Sequence, residues 1–277
     1  MSNALALCHG AFGRAALYHL NHRMTTHAHR EGHLTFFVEG APSAMTVRDE
    51  WMPLDPGCAV ACSPWEPHGF HPGDREYGSL FLVLYVKPVW FLEVARTAQP
   101  GIRFGRNRIE VTPQIHRWIQ LIAALMLTGE GTDLFDGYLG ELTQECYDQS
   151  WQWTPDAKRV STWPSTFSDF RVRKSIRLMT EKLGGDLELD EIAEGSGLSR
   201  PHFYKLFRRQ TGITPNLFLN TLRMERAIEG LTRSDRTITD IGLDLGFSSQ
   251  ASFTRFFCSN VGVAPTVYRR VAMVGTA

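Results

Sequence analysis

The sequence predicts an α+β protein of more than one domain, with a β-rich front part and an all-α end. Three observations support this prediction. Short apolar runs broken by Gly and Pro extend to about residue 110, apolar residues then recur at helical spacing, and the last quarter contains a degenerate repeat. The predicted segments are 1–110 for the strands, 111–150 for a helical pair, 151–168 for a linker and 169–277 for the all-α domain.

The front segment contains several short strand candidates. The run from Leu34 to Val38 ends in turn composition, Glu39-Gly40-Ala41-Pro42. The last candidate is nearly continuous in apolar residues, as expected of a strand buried on both faces. Short strands at this spacing predict a small barrel or sandwich. The candidates are 34–38, 44–47, 58–62 and 80–86.

Two helices are predicted after Pro113. From residue 114 to 127, apolar residues recur at spacings of three, four and seven residues, as on one face of a helix. From residue 133 to 149, they recur every four residues. This pair could cover the strands or form a dimer seam, and the sequence leaves both open. The linker that follows contains scattered Pro, and its tryptophans, Trp151, Trp153 and Trp163, indicate that it packs against something.

The repeat extends from Ile192 to Pro215 and recurs from Ile241 to Pro265, at an offset of 49 that becomes 50 after one inserted residue. Each copy predicts a short helix, a turn with a glycine (Gly197 or Gly246) and a second helix. A helix at 170–183 precedes the first copy, and a long helix at 215–231 separates the two. Residues 237–240 fit a capping box.

Capping and core positions follow from the same pattern. Ser199 and Ser248 stand where each second helix is expected to begin, as N-caps. The expected core residues of the two copies are Ile192, Leu198, Phe203, Phe207, Ile241, Phe247, Phe253 and Phe257.

The residues left outward on the two second helices suit DNA recognition. Gln can pair bidentately with adenine, Arg and Lys with guanine, and short hydroxyls with phosphate. Two matched copies make plain solvated faces the weaker interpretation, so a DNA-reading regulator is the leading hypothesis. The outward residues are Arg200, His202, Tyr204, Lys205 and Arg208 on the first helix and Ser249, Gln250, Ser252, Thr254 and Arg255 on the second.

Charge and cysteine usage agree with this hypothesis. The 277 residues have no net formal charge, but the part from Thr166 onward carries +4 and the rest −4. Five scattered cysteines without zinc-finger or redox spacing indicate a reducing compartment. No apolar stretch approaches the roughly 20 residues that span a bilayer, and Met1 to His9 does not resemble a signal peptide. We expect a cytoplasmic protein without a membrane partner.

Residues 168–271 closely resemble the DNA-binding domain of the AraC/XylS family. The resemblance rests on the runs 189–193, 197–203 and 207–215, and again on 238–242, 246–250, 253–257, 262–265 and 268–269. It implies two helix-turn-helix units joined by a linker helix that includes 222–227. By position, the family's base-contacting places fall on Pro201, Tyr204, Lys205, Gln250, Ala251, Thr254 and Arg255. Pro201 and Ala251 can offer apolar contact alone.

The front region is similar to a cupin barrel, which regulators of this family often carry as an effector-binding domain. His27, His29, His33 and Gly40 have the spacing of the first cupin motif, with His33 in place of the usual Glu. The spacing of the second motif places His68 with them. The resemblance implies that such positions converge on one ion, and four imidazoles suit Zn²⁺, Fe²⁺, Ni²⁺ or Cu²⁺.

The alternative for the histidines is a metal-free effector pocket. Phe36, Trp65 and Tyr85 could supply apolar walls, although core packing explains them as well. Cys58 and Cys62 share strand parity and could add soft ligands, but buried core positions are favoured.

Three functions follow from these expectations. The first is a ligand-responsive, DNA-binding transcriptional regulator with double-stranded DNA, a small effector, a second copy of the chain and RNA polymerase as partners. The second is a metal sensor, in which a divalent transition metal is the effector. The third is a cupin metalloenzyme, but the chain offers no other acid–base pair or nucleophile motif, so we expect no enzyme and no catalytic residue.

Overall fold

The structure is a computed structural model that describes residues 2–94, 102–129, 132–152, 168–184 and 187–274. Contacts divide the chain into two compact units: Met1–Val160 with Cys258–Ala277, and Ser161–Phe257. The strands are β1 (Asn3–Gly10), β2 (Gly13–Leu20), β3 (Met24–His27), β4 (Gly32–Gly40), β5 (Ser43–Val47), β6 (Glu50–Leu54), β7 (Cys58–Cys62), β8 (His68–His71), β9 (Ser79–Val86), β10 (Arg108–Glu110) and β11 (Ala272–Val274). The helices are α1 (Pro88–Val94), α2 (Pro113–Thr128), α3 (Thr132–Trp151), α4 (Phe170–Glu181), α5 (Leu189–Gly195), α6 (Arg200–Thr211), α7 (Pro215–Arg233), α8 (Ile238–Asp244), α9 (Gln250–Val261) and α10 (Pro265–Val271).

The first unit contains two sheets. One has the strand order β10-β7-β4-β9-β2-β1-β11 and the other the order β3-β8-β5-β6. Side chains of both, such as Tyr18 and Val83 from the first and Met45 and Phe70 from the second, line one cavity. The sheets therefore face each other, and we call β1–β10 the β-domain.

All four predicted strands are present, as β4, β5, β7 and β9. The strand β9 lies between β4 and β2 in the larger sheet and is buried along nearly its whole length, as its continuous apolar run predicts. The strands β1, β2, β3, β6, β8, β10 and β11 were not predicted. In β2, Ala15 and Leu17 join the apolar core whereas Arg14 and Tyr18 are also buried, so no alternation of apolar and polar residues marks the strand.

The helical pair covers the β-domain. Ile115, Ile119 and Ile122 of α2 pack in one apolar core with Leu142 of α3 and with residues of the larger sheet. Thr112 caps α2, since its hydroxyl accepts from the backbone N–H of Ile115 at 3.2 Å. A role of this pair as a dimer seam stays a prediction.

The linker prediction falls mostly on residues 153–167, outside the described residues, and so do Trp153 and Trp163. Trp151 ends α3, where it is buried and its indole N–H donates to the Arg103 carbonyl at 3.0 Å. The predicted boundary between residues 168 and 169 stays a prediction. By contacts, residues from Cys258 onward belong to the first unit, in which α10 packs against β1 and β11 pairs with it in parallel.

The second unit contains α4–α8 and most of α9. The predicted long helix is α7, and Thr237 caps α8 by accepting from the N–H of Asp240 at 3.0 Å. The prediction of Ser248 as an N-cap was wrong. The inserted residue lies before the second helix, so Ser249 is the counterpart of Ser199, and its hydroxyl accepts from the N–H of Ser252 at 3.2 Å.

Candidate functional site

The four histidines of the predicted cluster meet inside the β-domain. His27 ends β3, His29 follows it, His33 lies in β4 and His68 begins β8. Each is at most 6% exposed, and in five of the six pairs of rings the centroids lie 4.5 to 5.3 Å apart. The structure therefore brings together all four predicted positions, from two sheets and a connecting loop.

Strand pairing fixes two of these rings. His27 and His68 are direct partners in the ladder between β3 and β8. The Nδ1–H of His27 donates to the carbonyl of Thr25 at 2.7 Å, and that of His68 donates to the carbonyl of Glu66 at 2.8 Å. Because a carbonyl can only accept, each ring carries its proton on Nδ1 and presents a lone pair on Nε2.

The free nitrogen atoms are buried and lack hydrogen bonds. Within the described part of the chain, Nε2 of His27, His29 and His68 and Nδ1 of His33 have no hydrogen-bond partner. Burial lowers the pKa of His27 to about 4 and that of His68 to about 3. Burial, and then repulsion between the rings, lowers the pKa of His29 and His33 well below the ordinary value. The cluster is therefore neutral at physiological pH and rich in uncommitted lone pairs.

A buried arginine lies beside the cluster. The ring of Tyr85 stacks on His33 with centroids 4.9 Å apart, and the guanidinium carbon of Arg14 lies 3.7 Å from the centre of the same ring. Tyr85 also lines the cavity, and burial raises its pKa to about 12. The positive charge of Arg14 adds to the effect of burial in keeping the imidazoles unprotonated.

The other two predicted pocket residues lie elsewhere. Phe36 is fully buried in the apolar core, and it does not line the cavity. Trp65 is half-buried and also does not line it. Its backbone N–H instead donates to the carbonyl of His29 at 2.7 Å, so this residue helps to hold the loop that carries His29. The remaining cavity wall is formed by Tyr18, Leu20, Met24, Thr35, Met45, Phe70, Val83 and Val261.

The sequence analysis gave Cys62 as a possible soft ligand and favoured a buried core position; the structure places this residue, fully buried, beside the histidine cluster. Cys62 pairs directly with His33 across β7 and β4, and its sulfur lies within 4.8 Å of ligand atoms of His33 and His68. The spacing of the cupin motifs does not include this residue. The sequence indicated only that Cys58 and Cys62, four residues apart on one strand, lie on the same face of the sheet. The structure places the Cys58 sulfur 3.6 Å from the Ala59 carbonyl, and Cys58 is in neither potential ligand group.

The first repeat copy forms a helix-turn-helix unit from α5 and α6. Its turn glycine has φ +72°, the left-handed conformation that glycine adopts without strain. The predicted core residues of this copy are all buried. Of the outward residues, Tyr204 is half-buried, and the exposed ones are Arg200, Pro201, His202, Lys205 and Arg208. Arg200 forms an exposed ion pair with Asp190 at 2.7 Å, which DNA can displace at little cost.

The second copy forms the equivalent unit from α8 and α9, with Gly246 at φ +79°. Its core residues are buried except Phe247, which is half-buried. The hydroxyl of Thr239 donates to Oε1 of Gln250 at 2.8 Å and thereby orients its side-chain amide. Within the described residues, the N–H groups of this amide have no hydrogen-bond acceptor. The predicted contact residues are Ser249, Gln250, Ala251 and Arg255, which are exposed, and Ser252 and Thr254, which are half-buried.

Comparison with known proteins agrees with this architecture. A family model described as "AraC-like ligand binding domain" matches residues 9–139, and one described as "Helix-turn-helix domain" matches residues 192–271. Together with the fold, these matches define a protein with an N-terminal ligand-binding domain and a helix-turn-helix DNA-binding domain. The chain belongs to the AraC family, whose members are transcriptional regulators rather than enzymes.

Two curated relatives match part of the chain. Regulatory protein PocR of Salmonella typhimurium is 35% identical over 115 residues, which are 42% of this chain and 38% of PocR. An uncharacterized HTH-type transcriptional regulator of Staphylococcus aureus is 46% identical over 84 residues, which are 30% of this chain and 11% of that protein. The matched part therefore spans less than half of each relative.

Solved structures of ToxT from Vibrio cholerae share the fold. An apo form that carries a single substitution has a TM-score of 0.59 at 15% identity and covers 95% of this chain and 98% of its own. The wild-type form bound to an unsaturated fatty acid has a TM-score of 0.55 at 14% identity, covering 99% and 95%. In the described residues, no helix is long and apolar enough to cross a membrane.

Proposed function

We propose that this chain is a sequence-specific transcriptional regulator whose effector is a divalent transition-metal ion bound by His27, His29 and His68. One observation carries the metal part of the proposal. One ring nitrogen from each of the three buried histidines lies within 4.8 Å of the others, and Nε2 of each ring has no hydrogen-bond partner among the described residues.

The energetics of the cluster favour an ion. A buried polar atom without a hydrogen bond costs about 1–3 kcal/mol, and the histidine cluster contains four such nitrogens. An ion would satisfy several of them at once. Imidazole nitrogen suits Zn²⁺, Fe²⁺, Ni²⁺ and Cu²⁺. The carbonyls of Thr25 and Glu66 hold two of the rings as outer-shell acceptors do in metal sites, by fixing the tautomer and orientation.

A small organic effector is the second candidate, favoured by the apolar cavity walls that include Leu20, Met45 and Phe70. ToxT, which shares the fold, has been crystallised with an unsaturated fatty acid. The size of the cavity favours the ion. Its volume is about 20 Å³, and one water needs roughly 10–15 Å³, so one or two small species fit without side-chain movement.

The DNA-binding part of the proposal is supported by the exposed faces of α6 and α9. Lys205 and Arg208 extend from the first, and Gln250 and Arg255 from the second. These side chains can read base edges or bind phosphates. A regulator of this kind acts in the cytoplasm on double-stranded DNA, with a second copy of the chain and RNA polymerase as further partners.

The test combines metal analysis with DNA binding. Untagged protein is purified, its metal content is measured, and its binding to DNA upstream of its own gene is compared with metal present and after chelation. We expect near-stoichiometric metal and metal-dependent affinity. The variant His29→Ala should lose both, whereas His116→Ala, an exposed histidine on α2, should keep both.

The two parts of the proposal can fail separately. Selective DNA binding that is identical with and without metal would overturn the metal effector and leave the regulator. Absence of selective binding to upstream DNA, in any metal state, would overturn the regulator itself.

A further inference from the structure

A thiol lies within reach of the histidine cluster. Cys62 is fully buried at the end of β7, opposite His33 in the ladder. The alternating residues Ala59 and Ala61 of β7 belong to the apolar core, and Cys62 does not. Its sulfur, one nitrogen of His33 and one of His68 lie within 4.8 Å of one another.

Two of the neighbours of this thiol have uncommitted lone pairs. Nδ1 of His33 and Nε2 of His68 are buried and contact no hydrogen-bond partner in the described part of the chain. The other nitrogen of each ring is engaged, Nε2 of His33 with the Thr35 hydroxyl at 3.3 Å and Nδ1 of His68 with the Glu66 carbonyl. Each ring therefore has one nitrogen available for an ion.

The two potential ligand sets share His68. Because this ring has a single available nitrogen, the sets describe two alternative positions of one ion, or one ion that draws ligands from both. We propose that Cys62 is a ligand of the bound ion, and that His33, Cys62 and His68 make the β-domain selective for a thiophilic ion such as Zn²⁺ over a harder ion such as Mn²⁺. This proposal rests on the proposed metal effector.

Charge gives the physical reason for a thiolate at this place. The imidazoles are neutral ligands, and the guanidinium of Arg14 is buried against Tyr85, next to His33. A dication bound by neutral imidazoles alone would therefore place two positive charges, without a compensating ligand charge, close to the buried guanidinium of Arg14. On binding, the S–H bond of Cys62 breaks, a bond from sulfur to the metal forms, and the proton leaves to solvent. The thiolate then removes one unit of the added charge.

The chemical softness of sulfur is the reason to expect selectivity among metal ions. Thiolate sulfur favours zinc and other soft ions, whereas manganese prefers oxygen ligands. If Cys62 is instead a small apolar residue of the core, its replacement by serine should leave the metal preference unchanged.

Cobalt(II) is the probe, since thiolate ligation produces a sulfur-to-cobalt charge-transfer absorption in the near ultraviolet that imidazole ligation does not. The full chain, Cys62→Ser and Cys58→Ser are titrated with Co²⁺. Cys58 is the matched control, because it is also buried on β7 and stands outside both ligand sets. We expect the charge-transfer band in the wild type and in Cys58→Ser, and cobalt binding without this band in Cys62→Ser.

Competition titrations with a chelator then measure selectivity. Zinc affinity should fall at least about tenfold in Cys62→Ser, with manganese affinity changed by less than about threefold. X-ray absorption of the zinc-loaded wild type should count one sulfur at about 2.3 Å, a measurement that does not depend on the variant folding.

The outcomes distinguish this inference from the metal effector itself. Cobalt that binds the wild type without the charge-transfer band, or a band that survives in Cys62→Ser, would overturn the role of Cys62 and leave the metal proposal standing. Failure of the wild type to bind either cobalt or zinc would overturn both.

Discussion

Replacing His68 by alanine should remove most of the metal response of the β-domain, because this residue belongs to both potential ligand sets. Its ring is held in place by the strand pairing with His27 and by the Glu66 carbonyl. Loss of His68 should therefore weaken both arrangements of the ion.

The size of the effect follows from linkage. Free zinc at 100 times its dissociation constant stabilises the folded state by about 2.7 kcal/mol. At about 2–4 °C per kcal/mol, the melting temperature of a domain of roughly 150–250 residues rises by roughly 5–11 °C. If the substitution lowers the affinity at least about 100-fold, the same zinc concentration stabilises by at most about 0.4 kcal/mol, and the melting temperature rises by about 1–2 °C.

Differential scanning calorimetry of each protein with and without zinc measures this shift, and the comparison cancels any change in the stability of the metal-free variant. The control is His71→Ala. His71 lies on the same strand, but its ring packs on Trp51 and its Nε2 is 3.3 Å from the Thr46 hydroxyl. It should keep the full zinc shift. A His68→Ala protein whose zinc shift equals that of the wild type would refute the assignment of this residue.

Further predictions concern the DNA-binding helices, the backbone and pH. Arg255→Ala should weaken operator binding by about 1–3 kcal/mol and relax preference at one base pair; fluorescence anisotropy with single-base operator variants measures this, and an equal loss on every sequence would indicate a phosphate contact. Gly137→Ala should stabilise α3 by about 0.5–1 kcal/mol, because a Cβ there meets nothing within 4 Å, whereas Gly242→Ala should destabilise, because its Cβ would lie 2.8 Å from that of Phe253. Calorimetry that ranks the two in reverse order would contradict this account. Burial lowers the pKa of His27 from 6.5 to about 4, so the unfolded state binds more protons between these values, and stability falls as the pH decreases. This histidine alone should cost the metal-free protein about 2 kcal/mol between pH 7 and 5, and urea unfolding that gives equal stabilities would argue against a buried neutral imidazole.

The helix-turn-helix units could be predicted from the sequence because their fold is specified by local pattern. A glycine with positive φ precedes the first buried phenylalanine of the second helix by six residues in one copy and by seven in the other, and the repetition tests the pattern twice. The exception is the N-cap of α9. A one-residue insertion precedes this helix, so the cap was predicted at Ser248 and lies at Ser249. The local sequence pattern was therefore sufficient to predict almost all of the structure of the two helix-turn-helix units.

The β-domain could be predicted less well, because its strands do not follow the rule on which strand prediction depends. A strand is recognised when apolar residues alternate with exposed polar ones. In β2 and β8, polar side chains are themselves buried, since Arg14 lies against the ring of Tyr85 and His68 lines the cavity between the sheets. At buried positions of these two strands the side chains are polar, whereas the buried positions of most strands are apolar.

The unpredicted strand β2 and the proposed ligand Cys62 share one feature. Across the larger sheet, Cys62 pairs with His33, His33 with Tyr85, and Tyr85 with Arg14, so that a row of polar residues crosses four strands at one level. Burying such a row costs stability unless its atoms are satisfied, and packing alone gives no reason to retain it. Local rules are expected to fail at positions that serve function. Of the strands that hold the proposed ligands, β3 and β8 are four residues long and carry His27 and His68, and they were not predicted, whereas β4 and β7, whose other residues are mostly apolar, were.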